Sequence, residues 1–436
     1  MSKNKRVVVI GAGLSGLAAA VTLARAGHEV VVLEKAGSPG GRAMTQEKQG
    51  FSLNLGAHAL YRNGAAARVL ADLGVTYAGK IPAVSGGFAF DGGKLHTLPG
   101  GPFSLLTTGY CGLSAKLEIA RLLATFTSID GSRVDAMPAS TWLAEAIRTP
   151  EARRLVGALF RVSSYAGDLD RMSAGAAIAQ LQHAMRDQVL YLDGGWGTLV
   201  EGLRARAVDA GAELRTGVRA QHIEREGGTV TGVRLADGSL IPASRAIVAA
   251  SPQIARSLLP ELPALATLAE HAIPVEVACL DLALSSLPRP KAIFALGLDR
   301  PLYLSVHSAT ARLAPAGGAV VHLMKYGPSG APHADEAELR DLMSRVQPGW
   351  EAHVVEQRFL PAMTASHALV TAGGKGLAGR PGQVVPGARG LFLAGDWVGP
   401  EGMLADAALG SGARAAALAL GEEIAKPAGL SRAALA

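Results

Sequence analysis

VVVIGAGLSGLAAAVTLARAGHEVVVLE, residues 7 to 34, decides the fold. Val7 to Ile10, led in by Arg6, is a β-branched run suited to a strand buried on both faces of a parallel sheet. Gly11, Gly13 and Gly16 follow in the spacing GxGxxG, and the alanine-rich Leu17 to Ala26 favours a helix. His28 to Leu33 is a second apolar strand, and Glu34 ends it with an acid. The three glycines act differently. Gly11 permits the tight turn, Gly13 lets backbone approach a pyrophosphate, and Gly16 lets helix and strand pack closely. Ala12, Leu14 and Ser15 fill the turn, whose helix N-terminus offers free N–H groups and positive dipole charge to phosphates. Glu34 lies where a carboxylate accepts from a ribose 2′-OH, and with Lys35 it belongs to the same site. A glycine turn alone can mimic this spacing. Strand, helix, strand and acid in register make it a dinucleotide site.

The remaining composition excludes several classes. Among 436 residues, 42 basic and 36 acidic side chains leave a net charge of +6, and the arginines are scattered. With aromatics at 5%, this is no nucleic-acid surface. Mean hydropathy of +0.25 marks a globular, rather apolar chain. Cys111 and Cys279 make neither a disulfide framework nor a CxxC site, so a reduced, cytoplasmic setting is expected. No His/Cys cluster has metal spacing, no GxSxG elbow occurs, and no second GxGxxG provides for a pyridine nucleotide. Lys3, Lys5 and Arg6 before the uncharged Val7 to Ala24 imitate a signal peptide or membrane span. The glycine turn inside that run assigns it to the sheet.

After Glu34 comes Ser38-Pro39-Gly40-Gly41-Arg42. Together these motifs resemble the glutathione-reductase-like flavoproteins and, through ExxxxxGGR, the flavin amine oxidase and phytoene desaturase group. The resemblance implies FAD, with Gly40, Gly41 and Arg42 on its pyrophosphate, where a guanidinium fork suits phosphate oxygens. It also implies that Gly56, Ala57 and His58, which follow a hairpin over Thr45 to Leu55, pass beside the flavin ring. His58 then faces flavin or substrate, or is an ordinary loop histidine; both readings stand. Tyr61 and Arg62 carry a weaker version of the same expectation.

Farther on, Ala65 to Leu73 is expected as a helix and Phe88 to Leu98 as a hairpin about Asp91-Gly92-Gly93. A helical insertion follows, over Ala115 to Phe126, Trp142 to Arg148 with Ser140 or Thr141 as cap, Glu151 to Ser163, and Ser173 to Ala184. Thr97 to Ala115 is uncharged and apolar; a buried loop and helix is expected there, with membrane contact as the alternative. LDGGWG at Leu192 to Gly197 and the helix Thr198 to Ala210 return the chain to the first domain, where the resemblance places Val218 on the adenine. Val230 to Leu235 and Leu240 to Ala250 complete a β-meander. From Pro274 to about Gln383, alternating strands should floor a substrate cavity, to which His307, His322, Lys325 and Tyr326 are candidates.

The second anchor is GLFLAGDWVGPEGMLADAALGSG from Gly390. The resemblance places Asp396, after Gly395, on the ribityl chain, and aims the helix beginning near Leu404, after Gly402 and Met403, at the flavin N1 and C2=O2 edge. A positive helix end there stabilises the anionic reduced ring.

The expected fold is α/β: a discontinuous Rossmann-like FAD domain of parallel sheet and β-meander (1–90, 190–260, 385–436) with an interleaved α+β substrate domain (91–189, 261–384). The expected function is dehydrogenation of an apolar, isoprenoid-like substrate by hydride transfer to flavin N5, with oxygen or a quinone as acceptor. His58, Tyr61 and Lys325 are the catalytic candidates. The strand aligned with Val275 to Leu280 lacks the lysine, and Met403 replaces the aromatic, that amine oxidases use, so amine or amino-acid oxidation is the alternative. A prenyl-protein-binding module resembling Rab-escort proteins is the non-enzyme alternative. Peripheral membrane contact is a further expectation, and no metal is expected.

Overall fold

A computed structural model describes residues 6–83, 87–328 and 330–421. Lys3, Lys5 and the last fifteen residues of the expected FAD domain, 422–436, lie outside the described residues. In the strand Arg6–Ile10, Val7 and Val9 enter one apolar core while Val8 and Ile10 enter another, so both faces are covered. About it runs a five-stranded parallel sheet in the order Glu213–Thr216, Glu29–Glu34, Arg6–Ile10, Arg245–Val248, Leu391–Leu393. Three separate regions of the chain thus supply one sheet. The helices Leu14–Arg25 and Leu404–Leu420 pack together over it, with Gly412 directly against Ser15. A Cβ there would meet the Ser15 carbonyl carbon at 2.9 Å.

Beside this sheet is the expected meander, Ala220–Glu226, Thr229–Leu235 and Leu240–Pro242. The run Leu240 to Ala250 does not belong to it entirely. Pro242, without an N–H, ends the ladder, and Arg245–Val248 crosses into the parallel sheet.

The second layer is a seven-stranded sheet in which Val275–Leu284, second from one edge, lies between Val354–Ser366 and Ala319–Tyr326. Period-two alternation gives this strand two apolar faces: Val275, Val277 and Cys279 toward the helical insertion, Leu280, Leu282 and Leu284 toward the core packed by helix Pro332–Val346. The hairpin Gly87–Asp91 and Lys94–Thr97 joins the same sheet through Phe294–Gly297, so the boundary expected after residue 90 falls inside it.

The insertion comprises the helices Pro102–Thr107, Leu113–Thr125, Ala139–Ala146, Pro150–Ser164 and Ala174–Asp187. Phe126, Trp142 and Phe160 meet at its centre with ring separations of 5.9 to 6.3 Å. Ser173 caps the last helix by accepting from the Ala176 N–H. Ser140 and Thr141 cap nothing, because that helix already begins at Ala139, after Pro138.

A larger departure lies in Thr97 to Ala115. Leu105, Ala115 and Ile119 are buried, but helical spacing turns Phe103, Leu106, Leu113 and Leu117 outward, and they are 78, 75, 73 and 63% exposed. The expected buried segment is instead half surface, because two short helices can each bury only one face. Among the described residues, no helix is long and apolar enough to cross a membrane.

Gly412→Ala should destabilise the protein by about 1–3 kcal/mol through overpacking against Ser15. Gly101→Ala, whose Cβ meets open space, should leave the urea midpoint unchanged. Equal midpoints for both variants would contradict the close helix packing.

Candidate functional site

A cavity of about 850 Å³ is walled by both layers. Part of its wall comes from the glycine turn. Gly11 has φ +106°, and a Cβ there would lie 2.5 Å from the Ala249 carbonyl oxygen, so only glycine makes this turn. Gly16 does not reach the cavity; it sits over the Gly11 carbonyl and sets the helix approach. Gly13 faces open space, with nothing within 4 Å of a Cβ. The helix Leu14–Arg25 therefore presents its N-terminus to an unobstructed volume, flanked by Leu14 and Ser15. Ala12 is buried behind the wall, and its N–H donates to Glu34 Oε2 at 2.9 Å, while the Ala36 N–H donates to Oε1 at 2.9 Å. Both carboxylate oxygens are thus aimed and still hold lone pairs for hydroxyl donors. Lys35 and Val218 complete this region, and the Val218 N–H donates to the Glu34 carbonyl.

Gly40 and Gly41, at φ +117° and +55°, bend the next loop back so that Gly40 bridges Gly13 and donates from its N–H to the Ala12 carbonyl. Arg42 then reaches Asp396 Oδ2 at 2.8 Å and the Ala365 carbonyl at 2.7 Å. Asp396 also accepts from the His367 backbone N–H and, at Oδ1, from His367 Nδ1 at 2.9 Å. Burial would raise the Asp396 pKa, but the Arg42 charge and the His367 hydrogen bond hold it well below the ordinary carboxylate value. Arg380 stands behind, donating to the carbonyls of Asp396 and Gly402.

Another part of the wall holds His58, Tyr61, Tyr165, Trp196, Met363 and Leu404. His58 Nδ1 lies 3.1 Å from the Gly56 carbonyl; a carbonyl only accepts, so Nδ1 carries the proton. Burial pushes the His58 pKa down to about 4, so the ring is neutral at pH 7. It packs against Trp196 at 4.9 Å between ring centroids. Tyr165, at left-handed φ +62°, donates its hydroxyl to the Ala57 carbonyl at 3.0 Å and so anchors the His58 loop. Leu404 opens the closing helix at φ +54°, a conformation that a branched side chain adopts only under tertiary constraint.

Several expected site residues are elsewhere. Lys325 is not on this wall: its Nζ pairs with Asp335 at 2.8 Å and Glu338 at 2.6 Å on helix Pro332–Val346, and the catalytic expectation for it is withdrawn. Met403 joins the core of the helical insertion, and Gly402 turns the backbone behind the wall. Gly56 lies over Cys279 and Met363, with Ala57 rather than itself on the surface. His307 and His322 are buried in a separate polar network, where His322 Nδ1 meets Asp281 at 2.7 Å, and Tyr326 packs edge-on to Tyr165.

Sequence reasoning missed Tyr165, His367 and Asp406. Nothing in their local sequence marks the first two. Asp406, an acid in the first turn of the closing helix, was visible in the closing motif.

A nucleotide-phosphate turn joined through Gly40–Arg42 to an Asp at the far end of the chain defines a class, the two-layer flavin-binding oxidoreductases. More narrowly, the chain belongs to the flavin containing amine oxidoreductase family, whose model matches residues 14–279. Hydroxyneurosporene desaturase of Cereibacter sphaeroides is 28% identical over 295 residues, 57% of this chain and 56% of that protein. The L-amino acid oxidase of Bothrops pictus is 56% identical over 57 residues, 13% of this chain and 11% of that protein. The match therefore spans little more than half the length of one curated relative and about a tenth of the other. A structure of putrescine oxidase bound to putrescine aligns with TM-score 0.74 at 18% identity, covering 96% of this chain and 99% of that one, and shows the shared fold.

FAD is the cofactor that family membership assigns, and the residues present fit it. Gly13 leaves room for phosphate, Glu34 is aimed for hydroxyls, and Trp196 Nε1 is a buried donor with no partner among the described residues. No group of three or more His, Cys, Asp or Glu able to hold a metal occurs among them.

Gly13→Ala should fold with wild-type stability, since nothing opposes its Cβ, yet weaken FAD binding by at least about tenfold by intruding where the phosphate belongs. Flavin fluorescence titration of the apoprotein checks this. Undiminished affinity would move the phosphate site away from Gly13.

Proposed function

We propose that this chain dehydrogenates an apolar, isoprenoid-like substrate, with oxygen or a quinone as the final electron acceptor. The observation that carries the reading is the charge state of the wall beside His58. Asp396 is paired with Arg42, Asp406 with His183, and His58 is neutral, while the one lysine among the described lining residues, Lys35, belongs to the nucleotide region. A wall of Leu55, Ala57, Ala59, Met363 and Leu404 with no uncompensated charge favours hydrocarbon. The similarity to a desaturase supports the same direction.

Bound FAD supplies a hydride acceptor at N5. The chain's own part is positioning and the exclusion of water. Tyr61 is held by Gln180, whose amide donates to its hydroxyl at 3.1 Å, and burial pushes its pKa up, so it stays a neutral wall rather than a base. His58, with its pKa near 4, is too weak a base to hold a substrate proton at neutral pH and serves as a fixed polar edge. One observation favours a second reading, amine oxidation: the faces of Tyr61, Tyr165 and Trp196 are also what a cationic amine would approach. The intact Gly40-Gly41-Arg42 and Gly395-Asp396 segments favour either enzyme over a cofactor-free binding module.

The purified chain should be yellow. Mixed anaerobically with conjugated or conjugatable polyenes it should bleach, and with primary amines or L-amino acids it should not; bleaching by amines alone overturns the hydrocarbon reading. His58→Ala should slow polyene-driven bleaching by about tenfold, a positioning effect.

The outward row Phe103, Leu106, Leu113 and Leu117, with Lys116 and Arg121 beside it, supports peripheral membrane contact as the route by which such a substrate arrives. Replacing Phe103 and Leu106 together by Ser should cut co-sedimentation with anionic phospholipid vesicles by more than about tenfold while leaving the flavin spectrum intact. Unchanged sedimentation would remove the membrane from the proposal.

A further inference from the structure

Behind Tyr61 lies a charged cluster that the reaction as described does not use. His183, on the helix Ala174–Asp187, stands between two carboxylates: Nε2 is 2.9 Å from Asp406 Oδ2 and Nδ1 is 2.7 Å from Asp187 Oδ2. With both ring nitrogens facing carboxylate oxygens, which only accept, both must donate, and the ring is an imidazolium. Asp406 is buried on the cavity wall in the first turn of the closing helix Leu404–Leu420. Its other oxygen accepts from the Ala66 N–H at 2.7 Å, so it also caps the helix Ala65–Asp72, whose own cap position is Gly64 and offers no side chain. The Tyr61 ring packs on His183 at 4.3 Å, and Asn63 donates to Asp187 at 3.1 Å.

The arrangement addresses an electrostatic conflict. A closing helix whose positive end faces the cofactor is weakened by a carboxylate in its first turn, because that carboxylate repels the electron-rich reduced ring. The conflict vanishes if the carboxylate is kept paired. We propose that His183 and Asp406 form a charge-compensated pair that sets how strongly the cavity favours reduced over oxidised flavin, with His183 as a positioning residue acting through Asp406. The assignment rests on the flavin reading of this cavity and goes beyond it by naming what tunes the cofactor.

The groups that face His183 are few: Asp187 on its own helix with Arg186 beside it, Asp406 on the closing helix, and Tyr61 on the strand Leu60–Tyr61. Burial lowers the His183 pKa, but hydrogen bonds and charge from Asp406 and Asp187 outweigh that, and the net shift is upward. The upward shift and the two facing carboxylates both favour the imidazolium. As pH rises past its folded pKa, Asp406 is left uncompensated and reduced flavin loses stabilisation. By reciprocity, reduction of the flavin must raise the His183 pKa further.

The test uses the full chain carrying FAD, poised against redox dyes. Asp406→Asn should shift the reduced-to-oxidised ratio at fixed potential about tenfold toward reduced, and His183→Gln about tenfold toward oxidised. The double variant should return to within about threefold of wild type. NMR titration of His183 in the unaltered holoprotein, oxidised and then reduced, should give a higher pKa in the reduced state, which needs no variant to fold. A yellow protein in which both variants move the ratio the same way, or in which the His183 pKa ignores the redox state, overturns this assignment alone. A wild-type chain that takes up no FAD overturns the flavin reading and this pair with it.

Discussion

One ion pair holds the two ends of this molecule to a common purpose. Arg42 and Asp396 are 354 residues apart, yet their side chains meet at 2.8 Å beside the cavity. Asp396 is buried and could not remain ionised there alone, since an unpaired interior carboxylate costs several kcal/mol. Arg42 and His367 together keep it charged. The pair also fixes the distance between the phosphate turn and the closing helix, because Arg42 is tied through Gly40 to Gly13. Every other feature of the site assumes that this distance is set.

The same rule recurs wherever charge enters the interior. Asp281 is completely buried beneath the Gly56 loop, and His322 and Arg358 hold its pKa below the ordinary value against the opposing effect of burial. Asp406 is balanced by His183. These three buried aspartates, met by Arg42 and His367, by His322 and Arg358, and by His183, leave a cavity that is polar in its residues but nearly neutral in its field. That is the physical basis for expecting hydrocarbon rather than an ion, and it depends on pairings between strands and helices distant in sequence.

The departures from sequence expectation share one cause. Lys325 looks available on an alternating strand, but the helix Pro332–Val346 carries two carboxylates to it. Met403 adjoins a cofactor motif and still packs into the insertion core, whose helices lie far from it in sequence. Phe103, Leu106 and Leu113 read as core by composition, and helical period alone cannot say whether a partner face exists. In each case the local pattern was right about the element and silent about its neighbour. The converse also holds: the hairpin Gly87–Asp91 with Lys94–Thr97 is legible from Asp91-Gly92-Gly93, but its membership in the second sheet is set by a parallel pairing with residues more than two hundred positions away.

What the sequence determined by itself is everything whose cause is local. GxGxxG between a β-branched strand and an alanine-rich helix dictates a phosphate turn, because only glycine adopts the Gly11 backbone and tolerates the Gly16 contact. Period-two and 3.6-residue patterns likewise placed most individual strands and helices. Tertiary structure alone decided which charges cancel. Whether a buried Asp is a lone anion or half of an ion pair depends on a partner brought within 3 Å by the fold, as for Asp406 and His183, and Coulomb energy depends on separation in space, to which separation along the chain is blind.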